Sequence, residues 1–311
     1  MLQSILPEEL NNALSSVNFK NVYEIRLRQG KKILVNYLNK LKYLNNKGLS
    51  DFADGAIVCT PQIIQVLMFK ATKGSLYSYY DQINQGYLTL KGGIRIGIVG
   101  EAVTEGKKVK SLKNYSSLNI RIPHQVIGCS KQAFSFLKQN NTLHNTLILS
   151  PPGSGKTTFL RDLAYQVYNN LPHLNVLILD ERYEIASSVN GKPQLNVGQA
   201  DILSGTSKQF GFEKGIRSMS PQIIFTDEIA TKEDVESILY AKGCGVQVIA
   251  SAHAGSVEDL NTKSYFKYLL TKKVFTRFVV LSSRNKIGNI EGVFDSNFNN
   301  LFKESNICNL Y

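Results

Sequence analysis

The sequence lacks the long apolar run that a membrane-spanning helix requires. No stretch approaches the roughly 18 to 20 apolar residues needed to cross a bilayer. The first residues, MLQSILPEELNNAL, also lack the basic segment followed by an apolar segment that marks a secretory leader. We therefore expect a cytoplasmic protein.

Cysteine and histidine are scarce, with four of each in 311 residues. The cysteines are far apart and form no CxxC pair, and the histidines are equally scattered. This spacing indicates neither a zinc site nor a disulfide framework. We expect reduced thiols that are packed inside the protein. They are Cys59, Cys129, Cys244 and Cys308.

Acidic residues are few in the first half of the chain. Residues 1–140 carry 19 Lys and Arg against 8 Asp and Glu, whereas residues 141–311 carry 17 against 16. Such a basic half indicates a surface for nucleic acid, acidic lipid or an acidic protein. The alternative is a solvated surface, because four lysines fall in what we expect to be one exposed loop. They are Lys107, Lys108, Lys110 and Lys113.

The pattern of the first part of the chain predicts a small α+β domain. Apolar and polar residues alternate over residues 22–44, as in half-buried antiparallel strands. Thr60 followed by Pro61 indicates the start of a helix. Two further alternating runs flank Gly92-Gly93, which predicts a β-hairpin. We assign residues 1–125 to this N-terminal domain.

From about residue 145 the pattern changes to short, nearly continuous apolar runs, most of them separated by helical stretches. The runs are Thr146–Leu149, Val176–Leu179, Ile223–Thr226, Val246–Ala250 and Phe278–Leu281. This alternation indicates a parallel sheet with helices on both faces. Right-handed crossovers bring the carboxyl ends of such strands to one edge, where ligands bind. We assign residues 126–311 to this α/β domain.

The segment LILSPPGSGKTTFL, residues 147–160, predicts a loop that holds phosphate. Its glycines allow successive N–H groups to point inward, and the following helix adds its positive end. Lys156 would reach the β and γ phosphates of a nucleotide, and the Thr157 hydroxyl would ligate Mg²⁺. The predicted phosphate-binding residues are Pro152, Gly153, Ser154, Gly155, Lys156, Thr157 and Thr158.

Acidic residues and a histidine are expected at the same edge of the sheet. Asp227 would hold the water shell of the magnesium ion, and Glu228 would orient and deprotonate an attacking water. His253 ends the next apolar run and would sense the γ phosphate. These residue types, after neighbouring strands, indicate nucleotide hydrolysis.

The run VLILD ends in Asp180, and two further carboxylates follow at Glu181 and Glu184. They would bind metal-bound water or assist the base; the alternative is that they pair with nearby arginines. Arg217 and Arg121 are the predicted cations that neutralise transition-state charge, from the same or a neighbouring subunit. For both arginines a simple salt bridge remains the alternative.

In this order the motifs resemble those of the type II and type IV secretion ATPases, a RecA-like branch of the P-loop enzymes. The corresponding segments are SPPGSGKTT, LDERYEI, IRSMSPQIIFTDEIATKED and ASAHAGS. Over nearly the whole chain the sequence is similar to the stage III sporulation protein AA family. The segments that carry this closer similarity include EIRLRQG, LKGGIRIGIVG, SLNIRI and DEIATKEDVESI.

The resemblance implies a RecA-like P-loop core with a mainly parallel sheet, preceded by a smaller α+β N-terminal domain. It implies an ATPase that uses ATP and Mg²⁺ and assembles as a hexamer. It also implies docking on a membrane-embedded, secretion-like channel between mother cell and forespore during endospore formation. The protein would then be cytoplasmic, in the mother cell, and peripheral at the membrane through its partners.

The chain departs from the family pattern at three places. Ser150 stands where the phosphate-loop pattern begins with glycine. Ser187 and Ser188 stand where the family tends to carry a glycine. Ala230 and Thr231 replace the arginine and aspartate that often follow the second acidic residue in secretion ATPases.

Two other functions remain open on the residues alone. A nucleic-acid-dependent P-loop ATPase would account for the basic first half, although no aromatic and basic residues interleave on a recognisable platform. Tyr77, Tyr79 and Tyr80 cluster, but without lysines, and we expect them to pack in the core. A nucleotide-gated scaffold without turnover is the third reading, which Lys156 and Glu228 argue against.

Overall fold

The computed structural model describes residues 2–105, 108–262, 264–282 and 288–302. These residues form two compact units, one that ends at His124 and one that begins at Gln125. Each unit has its own seven-stranded sheet. Lys107 and Cys308 lie outside the described residues. In the described part of the chain, no helix is both long and apolar enough to cross a bilayer.

The N-terminal unit is an antiparallel sheet with helices. Its strands are β1 (Val22–Arg28), β2 (Leu34–Tyr37), β3 (Lys40–Asn45), β4 (Gly48–Ser50), β5 (Tyr87–Thr89), β6 (Arg95–Glu105) and β7 (Lys108–Arg121), and its helices are α1 (Leu2–Ile5), α2 (Glu8–Ala13), α3 (Pro61–Thr72) and α4 (Tyr80–Asn84). The strand order is β4-β3-β2-β1-β7-β6-β5, and all neighbours are antiparallel. The predicted hairpin at Gly92-Gly93 is confirmed, because β5 and β6 pair on either side of it.

Helix α3 begins where the sequence predicts. The Thr60 hydroxyl accepts a hydrogen bond from the Ile63 N–H at 3.3 Å, and Pro61 occupies the first helical turn. A threonine cap satisfies one of the N–H groups that a helix start leaves free, and proline has no N–H to satisfy. The helix then buries Ile64 and Leu67 against the sheet.

The two faces of the N-terminal sheet differ in chemistry because side chains alternate along each strand. One face is apolar and is buried beneath the helices, with Ile25 opposite Ile120. The other face carries Glu24 and four arginines in adjacent strands. The arginines are Arg26, Arg28, Arg95 and Arg121. Four of the basic residues of the first half are therefore collected on one side of the sheet.

The prediction about the surface lysines is wrong, and the prediction of packed cysteines is wrong for Cys244. Lys110 and Lys113 lie in strand β7, not in a loop, because β6 and β7 continue as a long hairpin in which Glu101 pairs with Lys113. The side chains in this part of the hairpin are largely exposed, so its sequence is as polar as that of a loop.

The cysteines differ in exposure. Cys59 is buried and Cys129 is half-buried, but Cys244 is an exposed thiol just after a helix.

The expectation that the tyrosine cluster packs in the core is also largely wrong. Tyr79 does pack against the N-terminal core. Tyr77 is 90% exposed, and Tyr80 is 42% exposed and donates its hydroxyl to the backbone carbonyl of Lys110. Tyr77 and Tyr79 fall in a short 3-10 turn that leads into α4, and Tyr80 is the first residue of α4, so the three side chains point in different directions.

The second unit is a largely parallel sheet between two layers of helices. Its strands are β8 (Lys138–Gln139), β9 (Thr142–Leu143), β10 (Thr146–Ser150), β11 (Val176–Asp180), β12 (Asp201–Ser204), β13 (Ile223–Glu228), β14 (Gln247–His253), β15 (Arg277–Ser282) and β16 (Asn289–Asp295), and its helices are α5 (Lys131–Leu137), α6 (Lys156–Asn170), α7 (Lys208–Met219), α8 (Lys232–Gly243) and α9 (Ser264–Thr271). Strands β8 and β9 form a separate two-stranded ribbon.

The main sheet of this unit has the order β12-β11-β13-β14-β10-β15-β16. All pairs are parallel except β15 with β16. The five predicted apolar strands are confirmed as β10, β11, β13, β14 and β15. The pattern missed the two edge strands, because β12 is half-exposed and β16 alternates only weakly. Separate cores on the two faces contain α5 and α6 on one side and α7, α8 and α9 on the other.

Helix α7 lies unusually close to strand β11 because it carries two glycines on the facing side. A Cβ atom at Gly211 would stand 3.0 Å from Cδ2 of Leu179, and one at Gly215 would overlap Cδ2 of Leu177. The leucines are buried, so they have little room to move aside. This close packing places the first turn of α7 at the carboxyl edge of the sheet.

Candidate active site

The predicted phosphate loop connects β10 to α6 at the carboxyl edge of the sheet. Gly153 has φ +77° and Gly155 has φ +91°, which are left-handed values that favour glycine. Ser150 has no such requirement, because it is not among the described residues with positive φ. Its carbonyl accepts from the Lys156 ammonium at 3.3 Å, a contact that any residue can supply. Serine is therefore compatible with the backbone at the position where the pattern has glycine.

Lys156 is the buried cation of the loop, with 9% of its surface exposed. Its Nζ lies 2.9 Å from Nδ1 of His253. Burial lowers the pKa of Lys156, whereas the nearby charge of Glu228 raises it; the net shift is downward. Thr157 and Thr158 follow in the first turn of α6 and are half-buried.

Strand register brings His253 and Glu228 to the loop. Ser150, at the end of β10, pairs with His253 in β14. The ladder between β13 and β14 is irregular after Phe225, and Glu228 pairs with Ser251. His253 Nε2 then lies 3.0 Å from Oε2 of Glu228. The structure thus joins Lys156, His253 and Glu228 by direct side-chain contacts.

A second buried cation, Lys208, was not predicted from the sequence. It is the first residue of α7, and its Nζ lies 2.6 Å from Oε2 of Glu181 and 2.9 Å from Oδ1 of Asp227. Asp227 therefore faces Lys208 while its neighbour Glu228 faces His253. A lysine in the first turn of a helix opposes the helix dipole, and this is the signal that could have drawn attention to it.

Burial and charge act against each other in this ion cluster. The pKa of Asp227 is raised to about 6, because burial outweighs the lowering effect of Lys208. Burial lowers the pKa of Lys208, but Asp227 and Glu181 together raise it above its ordinary value. The alternative that Glu181 pairs with an arginine is wrong: its partner is a lysine. Lys208 and the two carboxylates depend on one another for charge balance.

Asp180 organises the loop after β11. The carboxylate is fully buried and accepts N–H groups from Glu184, Ile185 and Ala186 at 2.7 to 3.0 Å. Burial raises the pKa of Asp180, and these backbone donors lower it in part. Arg161 donates to the carbonyls of Ile185 and Glu184 in the same turn. Asp180 therefore holds the N–H groups of this turn, and Arg161 holds its carbonyl groups.

The two other departures from the family pattern have local physical accounts. Ser187 is buried with φ +51°, a conformation that glycine adopts more easily. Thr231 caps α8: its hydroxyl accepts the Asp234 N–H, while the Asp234 carboxylate accepts the N–H groups of Ala230 and Thr231. The structural role of Ala230 and Thr231 is thus to form the cap of α8.

The structure does not bring Arg217, one of the two predicted arginines, to the loop within one chain. Arg217 lies in the last turn of α7, roughly 14 Å along the axis from Lys208 at 1.5 Å per residue. It is exposed and stands 3.3 Å from Glu213 one turn earlier. Arg121 ends β7 in the N-terminal unit and is exposed. Their predicted roles remain predictions. Because Arg217 lies far from the loop of its own chain, its predicted role would require the loop of a neighbouring subunit.

The similarity to known proteins extends over nearly the whole chain. The model of the family described as sporulation stage III, protein AA matches residues 2–301. The chain belongs to the stage III sporulation protein AA family. Stage III sporulation protein AA of Bacillus subtilis (strain 168) is 34% identical over 313 residues, which cover 98% of each chain. The uncharacterized protein ycf45 of Cyanidium caldarium is 28% identical over 150 residues, covering 47% of this chain and 43% of that protein.

Solved structures share the fold of this stage III sporulation protein AA family member at low sequence identity. The ATPase DotB of Yersinia pseudotuberculosis is 15% identical with a TM-score of 0.62, over 98% of this chain and 83% of that chain. The pilus retraction motor PilT with bound ADP is 14% identical with a TM-score of 0.59, over 97% and 87%. The predicted RecA-like core of the secretion ATPases, preceded by an α+β domain, is confirmed as the fold.

The left-handed backbone at Ser187 leads to a stability prediction. We expect Ser187→Gly to raise the free energy of unfolding by about 0.5 to 1 kcal/mol, because the strain relieved exceeds the added entropy of the unfolded chain. Ser188→Gly is the matched control and should lower stability, since Ser188 is not among the described residues with positive φ. Urea unfolding of the variants measures both; an equal loss in the two would contradict the assignment.

Proposed function

We propose that the protein binds MgATP at the loop between β10 and α6 and hydrolyses it. The observation that carries the proposal is the contact series Lys156, His253 and Glu228 beside that loop. Hydrolysis of the γ phosphate depends on a cation that neutralises phosphate charge and on a base that activates water, and here His253 contacts both groups. A strand end with only a structural role does not need a lysine, a histidine and a glutamate in contact.

The residues present fit a magnesium-bound triphosphate. The Ser154 hydroxyl is buried and has no hydrogen-bond partner among the described residues. The space above Gly153 is open, with no described atom within 4 Å of a hypothetical Cβ. Thr157 and Asp227 supply the hydroxyl and carboxylate oxygens that Mg²⁺ prefers. Mg²⁺ bound there would neutralise phosphate charge.

The side chains of the chain have distinct parts in the proposed reaction. Lys156 leaves the Ser150 carbonyl to neutralise charge on the β and γ phosphates. Glu228 accepts the proton of the attacking water. His253 contacts both and reports whether the γ phosphate is present. Glu181 assists from the adjacent strand end, where Lys208 orients it.

We further propose that the chain works as a hexameric motor or assembly ATPase at a membrane channel complex during endospore formation. The support is the family, whose Bacillus subtilis member is a stage III sporulation protein, and the fold shared with the ATPase DotB and the motor PilT. ATP binding would close adjacent domains around the phosphates, and hydrolysis would release them. Channel proteins in the membrane would be the docking partners, with the protein on the mother-cell side.

The lysine and the base should separate binding from hydrolysis. We expect Lys156→Ala to lose affinity for ATP, and Glu228→Gln to bind ATP yet lose at least about 100-fold in turnover, the usual contribution of a general base. Fluorescent ATP binding and phosphate release measure the two steps. Glu236→Gln, an exposed glutamate on α8, is the control. Full turnover by Glu228→Gln would remove it from the role of base.

If an arginine acts across a subunit boundary, two inactive variants should restore ATPase activity when they are mixed. If Arg217 acts across a subunit boundary, Arg217→Ala mixed equally with Glu228→Gln should recover about a quarter of the wild-type rate, the fraction of interfaces that then join an intact arginine to an intact base. Arg121→Ala is tested in the same way. Lys214→Ala, on the same helix, should remain active alone. Absence of recovery for both arginines would contradict action in trans.

One observation favours the nucleic-acid-dependent ATPase as a second candidate. The arginine face of the N-terminal sheet gathers Arg26, Arg28, Arg95 and Arg121 in adjacent strands, and phosphate backbones bind such clusters. Under the secretion-ATPase proposal, we expect single-stranded DNA or RNA to leave phosphate release unchanged at low and moderate salt. Strong stimulation that disappears as salt rises would instead favour the second candidate.

A further inference from the structure

Lys208 is buried at the sheet edge between two carboxylates of neighbouring strands. Its surface is 7% exposed, and its Nζ lies 2.6 Å from Glu181 and 2.9 Å from Asp227. Asp227 is 8% exposed. A buried carboxylate without a partner costs several kcal/mol, so a cation must stand beside Asp227. In this structure that cation belongs to the protein.

The Lys208 ammonium lies at the positive end of a helix dipole, which is an unfavourable position for a cation. Ser207 caps α7 by accepting from the Phe210 N–H, which makes Lys208 the first residue of the helix. The positive end of the helix dipole disfavours a lysine there. Gly211 and Gly215 press the helix onto β11, so Lys208 has little freedom to withdraw. The two carboxylates therefore have to offset both burial and the dipole.

We propose that the Lys208 ammonium occupies the place beside Asp227 that a divalent ion needs, so that free Mg²⁺ is excluded and only Mg²⁺ carried by a nucleotide displaces it. The inference rests on the proposed function, in which Asp227 is the carboxylate on the metal side. A nucleotide brings several phosphate charges, which compensate for the positive charges that then crowd the site. After displacement, Lys208 keeps its contact with Glu181, the closer of its two partners.

The exclusion of free metal is measurable without any nucleotide. Mn²⁺ serves as a spectroscopic substitute for Mg²⁺, and its binding to the full chain is followed by electron paramagnetic resonance. We expect Lys208→Met to bind Mn²⁺ at least about tenfold more tightly than the wild type, because one positive charge near the metal position is removed. Lys214→Met is the matched control, since Lys214 is an exposed lysine of the same helix. It should behave as the wild type.

Equal Mn²⁺ affinity in the wild type and the two variants would overturn the proposal. So would a Lys208→Arg variant that gains affinity as much as Lys208→Met does, because arginine keeps the charge. The assay contains no nucleotide. Its failure is therefore distinct from failure of the proposed function, which would appear as loss of ATP binding by the wild-type chain.

A thermal melting cycle covers the case in which Lys208→Met does not fold. The variant leaves Asp227 buried without a cation, so we expect its melting temperature to fall. Adding Asp227→Asn removes the unpaired charge and should restore most of the loss. A role in packing alone would not be rescued in this way. A double variant no more stable than Lys208→Met would overturn the counter-ion role, whether or not the single variant folds.

Discussion

Charge that is buried at the edge of the sheet has to be balanced inside the protein, and this constraint shapes the candidate active site. Two buried cations, the buried Asp227 and two partly exposed glutamates meet at the carboxyl ends of β11, β13 and β14. They divide into two sets, Lys156 with His253 and Glu228, and Lys208 with Glu181 and Asp227. Asp227 and Glu228, which are adjacent residues of β13, thus belong to different sets. The parallel sheet makes this possible because it delivers successive strand ends to the same edge.

The parts of the site that local pattern specifies were predictable. The glycine-rich loop follows a buried apolar strand, and Asp227, Glu228 and His253 lie at the carboxyl ends of further strands, so topology alone places them at one edge. Helix α3 is a similar case, because Thr60 and Pro61 determine its start. In each case a short segment contains both the element and the signal for its boundary.

Lys208 could not be found in this way because its position depends on contacts between distant segments. It follows β12, a half-exposed edge strand with little apolar pattern, and its partners come from β11 and β13. The predictions for the lysines of the β6–β7 hairpin and for Tyr77 were wrong because local composition was misleading there. Their composition is that of a loop or a core, but the hydrogen-bonded ladder and a tight turn decide where those side chains point.

The glycine-lined contact between α7 and β11 has a mechanical consequence. Because the two glycines add no side chains to the contact, the backbone of α7 lies directly on the leucine side chains of β11. Three turns of helix behave as one rod, so a shift of the first turn at the ion cluster reaches the last turn, where Arg217 lies at the surface. One helix in this way joins the buried ion cluster to a charge on the exterior of the molecule.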